Sequence, residues 1–200
     1  MPRSIVLCPS SLTHKCHSKC SQLSDLNGIL TRIIWALSWV GNPSQIAITG
    51  KDFCLVTADT RMSNGFQIVS RDISKVTKLT KECVIASSGM RADVDTLHKH
   101  LKAYIFNYIA KFGREPSTAA LSQLLSTTLY YRRFFPFYAF NLLCGLNKKG
   151  EGVIYGYDAI GSFDEITYGA QGSGQQLLMS VLDNQFKGHN NLNPEKLEDP

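Results

Sequence analysis

Charge is scarce in this sequence. Asp, Glu, Lys and Arg make up 18% of its 200 residues, where about a quarter is usual in a soluble domain. So little charge keeps less surface wet and points to area buried against partners. Acidic residues are nearly missing from 1–42, where Arg3, Lys15, Lys19 and Arg32 face Asp25 alone. No basic stripe follows a phosphate backbone. The longest basic pairs, Arg132–Arg133 and Lys148–Lys149, suit a solvated face, so nucleic acid is not an expected partner. No apolar run is long enough to span a bilayer. The longest in the N-terminal segment, Gly28 to Val40, is short and broken by Arg32, so no membrane partner is expected. It also lies too late, without a small-residue cleavage site, for a secretory signal. Walker, G-x-G-x-x-G and H-E-x-x-H motifs are missing, and no cofactor is expected. The six cysteines make no disulfide framework. Cys54, Cys83 and Cys144 sit inside apolar runs, as small buried thiols do in a reducing compartment.

The first 42 residues read as a separate segment. His14, Cys16, His17 and Cys20 supply four metal-ligating side chains, but at a spacing unlike the common zinc modules. The segment reads instead as a basic, Ser-rich leader without fixed structure, and residues 43–200 as the folded domain.

From Gln45 the texture changes. Gln45–Thr49 and Phe53–Ala58 are apolar runs parted by Gly50-Lys51-Asp52, and Phe66–Ser70, Lys75–Leu79 and Cys83–Ser88 follow at close intervals. Short runs with turn residues between them predict an antiparallel meander. Val94, Leu97, Leu101, Tyr104, Ile105, Tyr108 and Phe112 recur at helical steps and predict one buried helix face, closed at Gly113. Ser117 is the expected N-cap of a second helix carrying Leu121, Leu124, Leu125, Thr128 and Leu129. Strands return at Tyr138–Leu146, Gly152–Tyr157 and Ser162–Ala170, and Gln175–Leu182 is a short amphipathic helix. This order predicts an α+β protein with helices packed outside sheets.

Several stretches resemble one family. Gly50 to Arg61 (GKDFCLVTADTR) looks like the opening strand and turn of proteasome β-type subunits. Lys75, the run Ala86-Ser87-Ser88-Gly89 and the turn Gly172-Ser173-Gly174 follow in the family's order. Tyr131 to Tyr138 (YRRFFPFY), Tyr155 to Phe163 and Leu182 to Gln185 resemble the beta type-1 branch, a non-catalytic subunit at the sixth place of the β ring. The resemblance runs from about Gly41 to Gln185. It implies a four-layer αββα sandwich of two antiparallel sheets, the N-terminal-nucleophile hydrolase fold. It also implies a place among the other α and β subunits of a 28-subunit barrel in cytoplasm and nucleus.

In active members an N-terminal threonine attacks the peptide carbonyl and its own amine moves the proton. The resemblance puts Asp59 and Lys75 at the carboxylate and lysine of that site. It puts Gly89 at a backbone donor for an oxyanion and Ser173 at a supporting serine. The nucleophile position falls on Pro43, which has no hydroxyl, and Asn42 stands where self-cleavage uses glycine. The expectation is a vestigial pocket, with Asp59 and Lys75 as a strand-positioning ion pair. An alternative is a hydrolase using Ser44 after loss of Pro43. Arg132, Arg133, Phe134, Phe135 and Tyr138 are expected at a subunit contact. Family members continue past the last helix into closing strands. The chain is therefore expected to leave ladder edges open, and a product that does not assemble is a further alternative.

Overall fold

The computed structural model describes residues 3–7, 44–64 and 66–186. Two antiparallel sheets face each other. One contains β1 (Arg3–Leu7), β2 (Ser44–Thr49), β3 (Cys54–Ala58) and β11 (Tyr168–Gly172), ordered β1-β3-β2-β11. The other is ordered β10-β9-β8-β7-β6, from β6 (Val76–Lys78), β7 (Cys83–Gly89), β8 (Ala139–Leu146), β9 (Gly152–Tyr157) and β10 (Phe163–Ile166). A separate two-stranded ribbon joins β4 (Met62–Asn64) to β5 (Gln67–Ser70).

Period-two alternation assigns each strand's side chains to two cores. On β7, Cys83 and Ile85 pack with Val94, Leu97 and Leu101 of α1 (Arg91–Phe112) and Leu121, Leu125 and Leu129 of α2 (Thr118–Tyr131). Their neighbours Val84 and Ala86 meet Ala47, Cys54 and Val56 between the sheets. On β2 and β3, Ile46, Ile48 and Leu55 turn the other way, onto Leu178, Leu182 and Phe186 of α3 (Gln175–Phe186). Helix, sheet, sheet and helix make the expected four layers. Both faces of both sheets are covered, which is why the strands read as continuous apolar runs. Among the described residues, no helix is long and apolar enough to cross a membrane.

Both expected helix signals are present. Gly113 closes α1 in the left-handed region, at φ 67°, and its N–H donates to the Ile109 carbonyl. The Ser117 side chain accepts from the Ala120 N–H.

Several expectations are corrected. The five early runs are not one meander. β2 and β3 form a hairpin in one sheet, β6 and β7 a hairpin in the other, and β5 pairs with the short strand β4, which was not expected, in a separate ribbon. Ser162–Ala170 is two strands in different sheets, parted at Thr167, whose carbonyl accepts from the Thr49 N–H. Tyr104 and Phe112 are about half exposed: Tyr104 lies beside the buried stripe of Val94, Leu97, Leu101 and Ile105, and Phe112 lies beyond its last buried residue. Leu177 and Val181 are likewise exposed on α3. The leader is not without structure at Arg3–Leu7, which pairs with β3. His14, Cys16, His17, Cys20 and Pro43 lie outside the described residues.

Candidate functional site

The first half of the site is an ion pair at the ends of β3 and β6. Asp59 follows β3, and Lys75 precedes β6. The Lys75 Nζ donates to Asp59 Oδ1 at 2.6 Å, and the two side chains are 10% and 3% exposed. The same oxygen accepts the Ser44 N–H at 2.8 Å, while Oδ2 accepts the Arg61 N–H at 3.1 Å. The Asp59 N–H returns a bond to the Ser44 carbonyl. One carboxylate therefore clamps the start of β2, the turn after β3 and the lysine. Burial pushes the Lys75 ammonium below its usual range; Asp59 opposes that shift, and the nearby Arg91 guanidinium adds to it. Charge repulsion on an amine and a carboxylate anchor are the ingredients of a nucleophile-activating lysine.

The second half is a cleft of about 420 Å³ between the ends of β7, β8 and β11. Gly89 and Met90 form one wall, Tyr138 and Phe140 another, and Gly172 and Ser173 a third. Gly89 has φ 117°, and a Cβ there would lie 2.3 Å from the Tyr138 carbonyl oxygen. Glycine is thus required by both conformation and space. Gly172 is the cross-strand partner of Ser44, so the clamp and the cleft meet at the β2–β11 pair. Asp59 and Lys75 are brought together, as are Gly89 and Ser173, but the ion pair does not line the cleft itself. Ser88 Oγ, on the cleft wall, is buried without a hydrogen-bond partner, as is Gln45 Oε1.

The family model for proteasome subunits covers residues 41–199. The chain belongs to the proteasome subunit family. Proteasome subunit beta type-1 of Arabidopsis thaliana is 51% identical over 142 residues, 71% of this chain and 64% of that protein. The Dictyostelium discoideum protein of the same name is 48% identical over 146 residues, 72% of this chain and 62% of the relative. That of Drosophila melanogaster is 44% identical over 152 residues, 76% of this chain and 64% of the relative. The chain spans less than two thirds of the length of these relatives.

Against this proteasome-subunit frame, the five aromatic and arginine candidates separate. Arg132 lies 4.7 Å over the ring of Phe137, a core residue, so it faces its own domain. Arg133 stands 5.7 Å from the Tyr130 ring and 5.5 Å from the Phe134 ring, and its Nη1 donates to the Tyr130 hydroxyl. Phe134 is 95% and Phe135 83% exposed, with Tyr138 more than half exposed. Tyr131, 91% exposed, completes this knob and was not among the expected contact residues.

Sequence reading also missed a buried polar network. His98 of α1 reaches Ser87 Oγ through Nε2 at 2.7 Å and Thr77 Oγ1 through Nδ1 at 3.0 Å. Ser87 donates its hydroxyl proton to Asn141 Oδ1 at 2.6 Å. Ser87 must therefore accept from Nε2–H, and Nδ1 accepts from Thr77. A serine whose proton is already given away, beside a nitrogen that already holds one, is not an activated nucleophile. The only signal for this network in the sequence is a histidine at the i+4 position after Val94, on an otherwise apolar stripe. Among the described residues, no three His, Cys, Asp or Glu side chains are grouped to hold a metal.

Proposed function

We propose that this chain is a structural, non-catalytic β subunit of the proteasome core particle. It would act with other α and β subunits in ATP- and ubiquitin-dependent protein degradation in cytoplasm and nucleus. The observation that carries the non-catalytic reading is the pairing of a complete lysine–carboxylate support with proline at position 43 in the sequence. Proline offers no hydroxyl to attack a carbonyl, and Asn42 replaces the glycine at which self-cleavage would free a terminal amine. Ser44 is a poor substitute. It is buried, paired with Gly172 in the ladder, and its N–H is spent on Asp59. The Asp59–Lys75 pair then serves to hold β2, β3 and β6 in place.

The test is labelling with a threonine-directed epoxyketone together with turnover of fluorogenic peptides. The expected result is no adduct and no hydrolysis by the purified chain. A stoichiometric adduct on Ser44 would overturn the non-catalytic reading.

A further inference from the structure

Buried polar groups are ordinarily paired, and one left without a partner costs stability. Among the described residues, Ser88 Oγ and Gln45 Oε1 are buried side-chain atoms without a partner. Both belong to one end of the space between the sheets. Ser87 turns outward to His98, so alternation along β7 turns Ser88 inward. On β2, Ile46 faces α3 and Ala47 faces the other sheet, so Gln45 faces that sheet too. Its Nε2 donates to the Phe140 carbonyl at 3.0 Å, which leaves Oε1 as an acceptor. Phe140 is in turn the cross-strand partner of Ser88. The two orphaned atoms therefore flank one residue. Ser88 is 5% and Gln45 0% exposed, so bulk water does not supply the missing bonds.

Ser88 and Phe140 are also walls of the cleft between β7, β8 and β11. Its 420 Å³ falls within the range of small-ligand sites, about 300–1,000 Å³. None of the described residues that line it carries a charge. A charged ligand would lose water there and meet no opposite charge. Tyr138 and Phe140 meet edge to face with their centroids 5.4 Å apart, next to the thioether of Met90. Aromatic edges and a thioether suit a flat ring.

We propose that this cleft is a binding site for a small, uncharged aromatic carboxamide. Its ring packs on Tyr138, Phe140 and Met90. Its carbonyl accepts from the Ser88 hydroxyl, and its N–H donates to Gln45 Oε1. The two orphaned atoms come from different sheets and call for two polar atoms side by side, one of them a donor. A ketone leaves Gln45 unpaired, and a carboxylate brings a charge. Binding here is non-covalent and needs no nucleophile, so the site stands whether or not the chain is catalytic.

The test titrates the full chain, labelled with ¹³C at its methionine methyls, with benzamide, acetophenone and benzoate. The three probes share a ring and a size and differ only at the tip. The Met90 methyl signal is identified by its loss in Met90→Leu. Benzamide is expected to shift that signal saturably, with a dissociation constant on the order of a millimolar for so small a ligand. Acetophenone is expected to bind about tenfold more weakly, because it leaves a buried acceptor unpaired. Benzoate is expected to give no shift.

Two variants separate a binding role from a structural one. Ser88→Ala is expected to weaken benzamide about tenfold and to melt at or above the parent temperature, because its hydroxyl makes no bond in the free chain. Ser126→Ala is expected to melt lower and to keep benzamide binding, because its hydroxyl donates to the Gly161 carbonyl at 2.7 Å, away from the cleft. A Met90 signal that ignores benzamide, or three probes that bind alike, would overturn the site. So would a lowered melting temperature for Ser88→Ala, which would mean that the hydroxyl is already satisfied inside the free chain.

Discussion

At the scale of single residues, two buried titratable sites behave differently and both can be tested. His98 sits in a site built for the neutral ring. Burial lowers its pKa from 6.5 to about 4; Arg91 and Lys102 add to that, Asp95 opposes it, and Thr77, Ser87 and Asn141 are the neutral groups facing it from β6, β7 and β8. Between pH 6.5 and 4 the unfolded chain binds a proton that the folded chain refuses. Stability from this group is therefore complete above pH 6.5 and falls as the pH drops towards 4, by up to about 3 kcal/mol. Urea midpoints at pH 7 and pH 4.5 are expected to show this loss, and His98→Gln to flatten it. Asp59 and Lys75 make the second test. Lys75→Met leaves Asp59 still holding the Ser44 and Arg61 amides. Asp59→Asn instead strands a buried ammonium near Arg91 and is expected to cost about 3 kcal/mol or more, the cost of breaking a buried pair. Urea unfolding of the two variants checks the order. If Lys75→Met is the more damaging, the clamp has been assigned to the wrong partner.

At the scale of elements, glycine conformation separates two turns that look alike in sequence. Gly113 and Gly89 both have positive φ. Around Gly113 an added Cβ would meet nothing within 4 Å, whereas at Gly89 it would meet the Tyr138 carbonyl at 2.3 Å. Gly113→Ala is therefore expected to cost about 1 kcal/mol, the strain of a left-handed alanine. Gly89→Ala should cost more, because the β7–β8 end must also open, and thermal denaturation of both variants measures the difference. The same contrast explains which elements were legible. Helix caps are local, and Ser117 and Gly113 could be read from neighbouring residues alone. Most strands were legible too, as apolar runs bounded by turn residues, but Arg3–Leu7 and Met62–Asn64 were not. Sheet membership was not. β3 and β6 are both short, and nothing within either states that one pairs with β2 and the other with β7. Ser162–Ala170 reads as one strand because the change of sheet at Thr167 costs no break in its texture. The site followed the same rule. Asp59, Lys75, Gly89 and Ser173 could be placed through the family pattern, whereas His98, Ser87, Thr77 and Asn141 come from four separate elements and meet only in the fold.

At the scale of the whole molecule, the low charge content and the exposed aromatics belong together. Tyr131, Phe134 and Phe135 project from the end of α2 and the turn after it, more apolar surface than a solvated turn of that size ordinarily shows. Arg133 is held between Tyr130 and Phe134, so its guanidinium is ordered before any partner arrives and little side-chain entropy remains to be lost on contact. Aromatic anchors beside an ordered arginine are the usual centre of an interface, and a fork of donors can take a partner carboxylate in two bonds. Arg132 differs, since its stacking on core Phe137 ties it to the fold. The two arginines therefore predict opposite readouts. Arg133→Ala and Phe135→Ala are expected to keep the parent melting temperature and to lower incorporation into the core particle when the subunits are assembled together. A loss of about 2 kcal/mol at such a centre weakens an equilibrium step roughly thirtyfold. Arg132→Ala is expected to lower the melting temperature, with any assembly defect following from that. Lys149→Ala, in the β8–β9 loop where its N–H donates to Asn147 Oδ1, should leave both unchanged. Quantitative native gels of co-expressed subunits, paired with thermal denaturation of each variant, separate these outcomes. If Arg133→Ala and Phe135→Ala assemble as the parent does, the exposed knob is not a subunit contact.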